Sequence, residues 1–252
     1  MLSNERMRII LQQIQLQSTV SVVELSERLK VSVDTVRPDL KRMEQEGLVK
    51  CVRGGACLPE SVASVSNFRG REIIHSEEKR EASRKAIAHI KEGDVVALNS
   101  GTTNTILAQE IAASCKNITV ITNNLSAIGV LMQKPEIRLI AIGGMVDVTE
   151  NSTYGSDCER EFAAYFPDLC FLSINAVNFK DGFTDFRLSE LGVIRMLARQ
   201  AKRVIAVMDS SKLGKRSKCK VLNLEEVDLL IMDGLVSREV REEYERRGLR
   251  IE

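Results

Sequence analysis

The chain has 252 residues, with 36 Lys and Arg against 35 Asp and Glu, and 44% of its residues are hydrophobic. That balance is an ordinary globular composition with room for one sizeable core and a small accessory domain, and it excludes a disordered polyelectrolyte. No apolar run approaches the roughly 18 residues that span a bilayer, and the start "MLSNERMRII" has no signal-peptide core, so a cytoplasmic protein with no membrane partner is expected. Six cysteines are scattered without a Cys-x-x-Cys pair, and His75 and His89 lie near no cysteine pair. Reduced thiols are expected, with neither a metal nor another cofactor.

In chain order, Met7, Ile10, Leu11 and Ile14 recur at i, i+3, i+4 and i+7 and predict a first helix. Ser21 and Glu24 have the spacing of a capping box, which opens a second helix in "SVVELSERL". After the "KVS" turn, Val36, Leu40 and Met43 form the buried stripe of a third helix. "GLVKCVRGGACLP" alternates and turns at Gly54–Gly55 like a small β-hairpin. Three helices and a hairpin over residues 1–58 predict a winged helix-turn-helix, and residues 59–76 read as a linker.

Opposite the buried stripe of the third helix, Asp34, Thr35, Arg37, Pro38, Lys41 and Arg42 fan across the solvent face. Cations there suit phosphates and guanine edges. The same residues also describe a plain solvated helix face. Bulk charge does not separate the two, since residues 1–58 hold nine Lys and Arg against seven Asp and Glu. The order of elements is more specific, with a basic hairpin tip at Arg53 behind the reading helix.

The stretch "VSVDTVRPDLKRMEQEGLVKCVRGGA" resembles the amino-terminal signature of the DeoR family of bacterial sugar-responsive repressors. Val31, Ser32, Thr35, Arg37, Asp39, Leu40, Gly47, Gly54, Gly55 and Ala56 match its pattern. Pro38 stands where the pattern has a second arginine, and Arg53 where it has histidine. The residues expected to meet double-stranded operator DNA are Ser32, Thr35, Arg37, Pro38, Lys41, Arg42 and Arg53. The missing N–H of Pro38 would have bonded the Asp34 carbonyl, so the helix is expected to survive, starting later or kinked at Arg37. Weakened or altered DNA binding is expected rather than a broken domain.

Beyond residue 77 the pattern changes to short β-branched runs between helices: "DVVALN", "NITVIT", "IRLIAIGG", "LCFLSINAV", "RVIAVMD" and "DLLIMD". This predicts an α/β domain over residues 77–252 with a mostly parallel sheet covered on both faces. In "LNSGTTNTILAQEI", Ser100, Gly101, Thr102 and Thr103 lie between a strand and a helix, where backbone N–H groups and hydroxyls make an anion site. Helix capping alone explains the same four residues. Other strand candidates also end in polar or glycine residues, at Asn123, Asn124, Gly143, Gly144 and Asp209, and the carboxyl edge of an open sheet collects ligands.

This segment resembles the effector domain of the same family, through EEKR (77–80), SGTT (100–103), ITNN (121–124), IGG (142–144), DGFTD (181–185) and DSSKLG (209–214). The resemblance implies the fold of ribose-5-phosphate isomerase and sugar-phosphate deaminase, and a phosphorylated sugar or related metabolite as effector. It further implies a phosphate cradle at Ser100 to Thr103 and a cation from Lys212. Asn99 stands where the family usually has aspartate, "FLSINAV" where it has Phe-Leu-Gly-x-x-Gly-Ile, and Ile194 where it has lysine. Losing that lysine is expected to relax phosphate affinity or shift the effector toward a less charged molecule.

The leading expectation is a transcriptional repressor, not an enzyme, that works as a homo-oligomer on repeated or palindromic sites. A sugar-phosphate isomerase or deaminase with an appended helical module is the alternative, with Asp147, Asp157, Asp181, Asp185 or Asp209 as the base. A regulator whose DNA binding is impaired by Pro38 is a third.

Overall fold

A computed structural model describes residues 2–17, 19–52, 54–59, 68–73 and 75–252. The chain divides into two compact units, Met1–His75 and Ser76–Glu252.

In the first unit, α1 (Ser3–Gln17), β1 (Thr19–Ser21), α2 (Val22–Leu29), α3 (Val33–Gln45), β2 (Lys50–Val52), β3 (Gly55–Cys57) and α4 (Phe68–Ile73) follow in order. The capping box is present: the Glu24 N–H donates to Ser21 Oγ at 3.1 Å, and the Ser21 N–H donates to Glu24 Oε2 at 2.9 Å. The apolar stripes meet as read. Met7, Ile10, Leu11 and Ile14 of α1 share one core with Leu25, Leu29, Val36, Leu40 and Met43. Each such buried side chain contributes about 1.5–3 kcal/mol.

Two features were not read from the sequence. A third strand, β1, joins the wing in the order β1-β3-β2, and a side chain at Gly55 would overlap the Val20 carbonyl, so glycine is what lets β1 and β3 approach. The turn before it places Gly54 at φ 85°. Arg53, the expected wing contact, lies outside the described residues. Within the segment read as a linker, residues 68–73 are helical.

In the second unit, α5 (Ser76–Ile87) leads to β4 (Val95–Leu98), α6 (Thr102–Ser114), β5 (Ile118–Thr122), α7 (Leu125–Leu131) and β6 (Ile137–Ala141). Then come the hairpin β7 (Met145–Asp147) and β8 (Ser152–Tyr154), α8 (Ser156–Phe162), β9 (Leu169–Leu172), β10 (Ala176–Asn178) and β11 (Gly182–Asp185). The unit ends with α9 (Leu191–Gln200), β12 (Arg203–Val207), β13 (Cys219–Leu222), β14 (Leu229–Ile231) and α10 (Arg238–Glu245).

Each of the six expected runs supplies one strand of a single sheet, ordered β14-β12-β9-β4-β5-β6. Every pairing in it is parallel. Alternate residues feed two cores. Val96 and Leu98 of β4 face α5, α6 and α7, whereas Ala97 faces the side of α8, α9 and α10. The run "LCFLSINAV" is longer than its strand: it leaves the sheet after Leu172, and its end forms β10 in an antiparallel sheet with β11 and β13. The chain builds outward from β4 through β5 to β6, then returns to β9 on the other side of β4 and runs on to β12 and β14. The β4/β9 boundary is therefore the topological switch point, where open α/β sheets form a crevice at their carboxyl ends.

Candidate functional sites

Helix α3 runs unbroken through Pro38, directly from its N-cap Ser32. The expected late start is not seen. The proline removes a donor near the amino end, where the freed Asp34 carbonyl belongs to an exposed residue. Pro38 is itself exposed and sits at the centre of the solvent face, with Asp34, Thr35, Lys41 and Arg42 within about 60° of it around the helix.

Arg37 leans on Asp34 at 3.4 Å and Arg42 on Glu46 at 3.1 Å. Exposed pairs of this kind are worth at most about 1 kcal/mol and release readily to a phosphate. Ser32 Oγ and Thr35 Oγ1 lie 3.0 Å apart. The face is fixed from behind by Asp39, which is buried. It accepts from Arg6 Nε at 2.6 Å, Arg6 Nη2 at 3.1 Å and Ser3 Oγ at 2.8 Å, clamping α1 to α3. The sequence motif alone does not show this clamping role for Asp39.

At the switch point, Gly101 is the N-cap of the 13-residue α6, with φ 125° and no side-chain cap. The first intrahelical bond runs from the Thr105 N–H to the Gly101 carbonyl at 3.0 Å. The N–H groups ahead of it have no acceptor within the helix and, with the helix dipole, favour an anion. Only glycine fits at 101, since a Cβ would lie 2.6 Å from Ser173 Oγ and 3.0 Å from Arg187 Nη1. Ser100, Thr102 and Thr103 are all buried.

The side chains around this turn form one network. Asn99 Nδ2 donates to the Ser173 carbonyl at 3.1 Å, and Asn99 Oδ1 accepts from the Ser173 N–H at 2.8 Å. Asn104 Nδ2 donates to the Asn99 carbonyl at 3.0 Å and the Phe171 carbonyl at 2.8 Å. Asn124 caps α7 and donates to the Gly101 carbonyl at 3.2 Å. Asn123 donates to the Thr153 carbonyl at 2.7 Å and to Glu190 Oε1 at 3.1 Å.

The central cation is Arg187, a residue the sequence reading did not single out. Its Nη1 donates to the carbonyl and the hydroxyl of Ser100, both at 3.1 Å. Nη2 reaches the Ser173 carbonyl at 2.7 Å and Asp185 Oδ2 at 2.8 Å, and Nε reaches Asp185 Oδ1 at 3.0 Å. Burial is the largest single influence and works against its charge, but the carboxylates of Asp185, Glu190 and Glu150 together prevail and raise its pKa. Glu190 was missed as well. It is fully buried, and its Oε1 also accepts from Ser152 Oγ at 3.0 Å. Burial pushes its carboxyl up from the usual range, against the pull of Arg187 and the hydroxyls of Ser100 and Ser152. The only sequence signal for either residue was a charge standing in the apolar run after β11.

The other expected effector residues are placed less closely. Gly143 and Gly144 lie in the open just beyond β6, where the Gly143 N–H donates to Glu161 Oε2 at 2.9 Å. Gly144, at φ 131°, lets the backbone pass within 2.7 Å (from a would-be Cβ) of the Tyr154 carbonyl. Lys212 lies in the turn Ser210–Lys212 beyond β12, two strands from β4. Ile194 is buried in the apolar core, and Arg195 donates to the carbonyls of Lys220 and Val221. The lysine-to-isoleucine departure therefore falls in the core and not among the groups gathered round Ser100.

Of the candidate bases, Asp185 is paired with Arg187, Asp157 with Arg160, and Asp181 with Arg216 at 3.5 Å. Asp147 accepts the N–H groups of Thr149 and Glu150. Asp209 caps its own turn through Ser211. All six cysteines are free thiols, and burial pushes Cys158 up to about 12, which leaves that thiol unreactive. Among the described residues no group of three or more His, Cys, Asp and Glu is gathered to hold a metal, and no helix is long and apolar enough to cross a membrane.

A winged helix with a cationic reading face, carried on the same chain as an open parallel sheet with an anion cradle at its switch point, is the plan of a DNA-binding transcriptional regulator with a sensor domain. Comparison with known families supports that plan over most of the chain: the DeoR-like helix-turn-helix domain matches residues 6–62, and the DeoR C terminal sensor domain matches residues 74–234. The chain belongs to the DeoR family. It is 32% identical to the HTH-type transcriptional repressor GlcR of Bacillus subtilis, over 100% of this chain and 96% of that protein. It is 31% identical to the HTH-type transcriptional regulator GolR of Listeria innocua, over 97% and 96%. Among solved structures, ribose 5-phosphate isomerase A of Methanocaldococcus jannaschii aligns with a TM-score of 0.41 and 18% identity, over 55% of each chain.

Proposed function

We propose that this DeoR-family regulator represses carbohydrate-metabolism genes and releases its operator when a phosphorylated sugar binds the sensor. In this reading residues 1–58 are the DNA-binding domain, 59–76 a linker and 77–252 the sensor. Ser32, Thr35, Arg37, Pro38, Lys41, Arg42 and Arg53 meet DNA, and Ser100 to Thr103, with Asn123, Gly143, Gly144 and Lys212, meet the effector. The observation that carries it is the α6 N-terminus opening behind Gly101 at the switch point. Ser100 and its neighbours are closed to solvent, so an arriving phosphate must rearrange the Arg187 and Asn124 contacts. A ligand that favours one arrangement over another is what shifts an equilibrium between DNA-binding and released forms. A homo-oligomer on paired half-sites completes the reading.

The test is fluorescence anisotropy of labelled DNA from upstream of the gene, titrated with the protein alone and with a panel of sugar phosphates. Specific binding that at least one sugar phosphate weakens is the expected result; binding indifferent to the whole panel would remove the sensor role. The enzyme reading has one observation in its favour, the buried Glu190 beside the phosphate turn, because a raised carboxyl is what a general base needs. Turnover of ribose 5-phosphate or glucosamine 6-phosphate that disappears in Glu190→Gln would establish it.

A further inference from the structure

Residues 76–252 carry 25 Lys and Arg against 26 Asp and Glu, so the second unit as a whole is close to neutral. Its cations are not evenly spread. The stretch "KLGKRSKCK", residues 212–220, leads from β12 into β13 with five cations and no acid. Lys212 is assigned above to the effector and is set aside. The other four, Lys215, Arg216, Lys218 and Lys220, are all exposed. The backbone beneath them is held at several points. Leu213 forms a bridge with Val177 of β10, and Asn178 Nδ2 donates to the Lys215 carbonyl at 2.9 Å. The Ser217 N–H donates to Thr184 Oγ1 at 2.7 Å, and Lys220 pairs with Thr184 in the β11/β13 ladder. Exposed Arg195 of α9 donates to the Lys220 carbonyl at 2.8 Å and the Val221 carbonyl at 3.3 Å. Lys180, also exposed, stands in the β10–β11 turn that carries Asn178.

One carboxylate pairs with this group, Asp181, which lies 3.5 Å from Arg216 and also accepts from Asn178. Among the described residues Lys180, Lys215, Lys218, Lys220 and Arg195 have no carboxylate within salt-bridge reach. The next acid on the far side, Glu226, is turned back to cap Asn223. Like charges gathered on a pinned backbone repel one another, and a polyanion relieves that repulsion. No large apolar side chain stands exposed in residues 176–182 or 211–222. The patch therefore has neither the apolar centre of a protein interface nor a wedge for a lipid surface. A surface of cations alone suits a phosphate backbone. We infer that Lys180, Lys215, Arg216, Lys218 and Lys220, with Arg195, form a second DNA-binding surface, which holds the backbone of double-stranded DNA flanking the operator without reading its bases. The inference rests on DNA binding by residues 1–58 and goes beyond it. That unit has nine cations against seven acids, so phosphate contacts made by the second unit add affinity while sequence is read elsewhere.

The experiment uses the full chain and two duplexes from upstream of the gene. One is the shortest that keeps specific binding; the other extends it on each side by unrelated sequence, about two helical turns (~20 bp). A variant combines Lys215→Gln, Arg216→Gln, Lys218→Gln and Lys220→Gln, and a control combines Lys215→Arg, Lys218→Arg and Lys220→Arg. Anisotropy is read across a salt series. The natural chain is expected to bind the extended duplex more tightly and with a steeper salt slope. The glutamine variant should lose at least about tenfold in affinity on the extended duplex, with a slope lower by about two to four, and match the natural chain on the short one. The arginine control should behave as the natural chain. A variant equal to the natural chain on both duplexes overturns the surface, and so does an equal loss on both; either leaves operator reading by residues 1–58 standing. A variant that binds both duplexes normally but sediments as a smaller species also overturns it, and assigns the patch to a contact between copies. A natural chain that binds no upstream DNA removes operator reading and this inference together. The substituted side chains are exposed, so an unchanged melting temperature and circular dichroism spectrum show that the variant is folded.

Discussion

Asn99 and Ser173 exchange two hydrogen bonds across the switch point, the Ser173 N–H to Asn99 Oδ1 at 2.8 Å and Asn99 Nδ2 to the Ser173 carbonyl at 3.1 Å. A side-chain amide thus extends the β4/β9 ladder by one step beyond Leu98 and Phe171, the last paired residues. Only an amide presents a donor and an acceptor together in this way. Both positions depart from the usual DeoR pattern, and the structure shows that the two departures touch.

Restoring the family's aspartate on its own is therefore expected to destabilise this chain. In Asn99→Asp the second carboxylate oxygen faces the Ser173 carbonyl, with no proton to donate, in a fully buried place. The loss should be about 1–3 kcal/mol, the cost of a buried polar group left unmet. Urea unfolding of the two proteins measures it; an unchanged midpoint would mean that Arg187 turns to compensate.

Gly101→Ala tests the cradle itself. A methyl group there meets Ser173 Oγ at 2.6 Å and Arg187 Nη1 at 3.0 Å, and the backbone at φ 125° disfavours any L side chain. Displacing the guanidinium disturbs its pairing with Asp185, and strain at such a residue costs about 1–3 kcal/mol. The expected outcome is a lower melting temperature of the sensor and loss of any effector response, with DNA affinity preserved. Anisotropy with and without a sugar phosphate reads both halves of that prediction.

Pro38→Arg asks what the centre of the α3 face contributes. Because α3 is already continuous through the proline, the substitution restores one backbone donor and adds one cation without having to rebuild the helix. DNA binding should show a steeper dependence of log affinity on log salt, by roughly one unit if the new side chain reaches a phosphate. An unchanged slope would place the centre of this face away from the DNA backbone.

What could be read in advance divides along physical lines. The stripe Met7, Ile10, Leu11 and Ile14 and the β-branched runs from Val95 to Ile231 were legible because each carries its own period and is bounded by turn residues. The strands β7, β8, β10, β11 and β13 were not, because each has three or four residues and is stabilised by partners distant in the chain. Ser100 to Thr103 were legible as a strand-to-helix turn, and the structure brings Asn124 to that turn through the Gly101 carbonyl, while Asn123 bonds Glu190. Arg187 and Glu190 become site residues only because the segment after β11 folds back across the ends of β4 and β9, a relation that no local spacing encodes. The burial of Ile194 was not legible either, because whether a helix position faces the core depends on what the helix packs against.

Glu190 also sets a pH dependence with a definite sign. Burial raises its folded pKa above the ordinary value of about 4.5, against Arg187 and the hydroxyls of Ser100 and Ser152, while the nearby carboxylate of Asp185 adds to the rise. A group whose folded pKa lies above its unfolded value stabilises the fold fully below the unfolded pKa, and that contribution is lost as pH rises through the folded value. Above about pH 4.5 the natural domain therefore gives up stability as pH rises toward the folded value, stability that Glu190→Gln, with nothing to ionise, retains. The amide can still accept from Asn123 and Ser152 through one oxygen. The melting temperature of Glu190→Gln minus that of the natural chain should be smallest near pH 4 and grow as pH rises above it, in the absence of ligand. A difference that stays flat as pH rises would mean that Arg187 and the two hydroxyls hold the carboxylate charged at no cost, and burial would then set no pH dependence here.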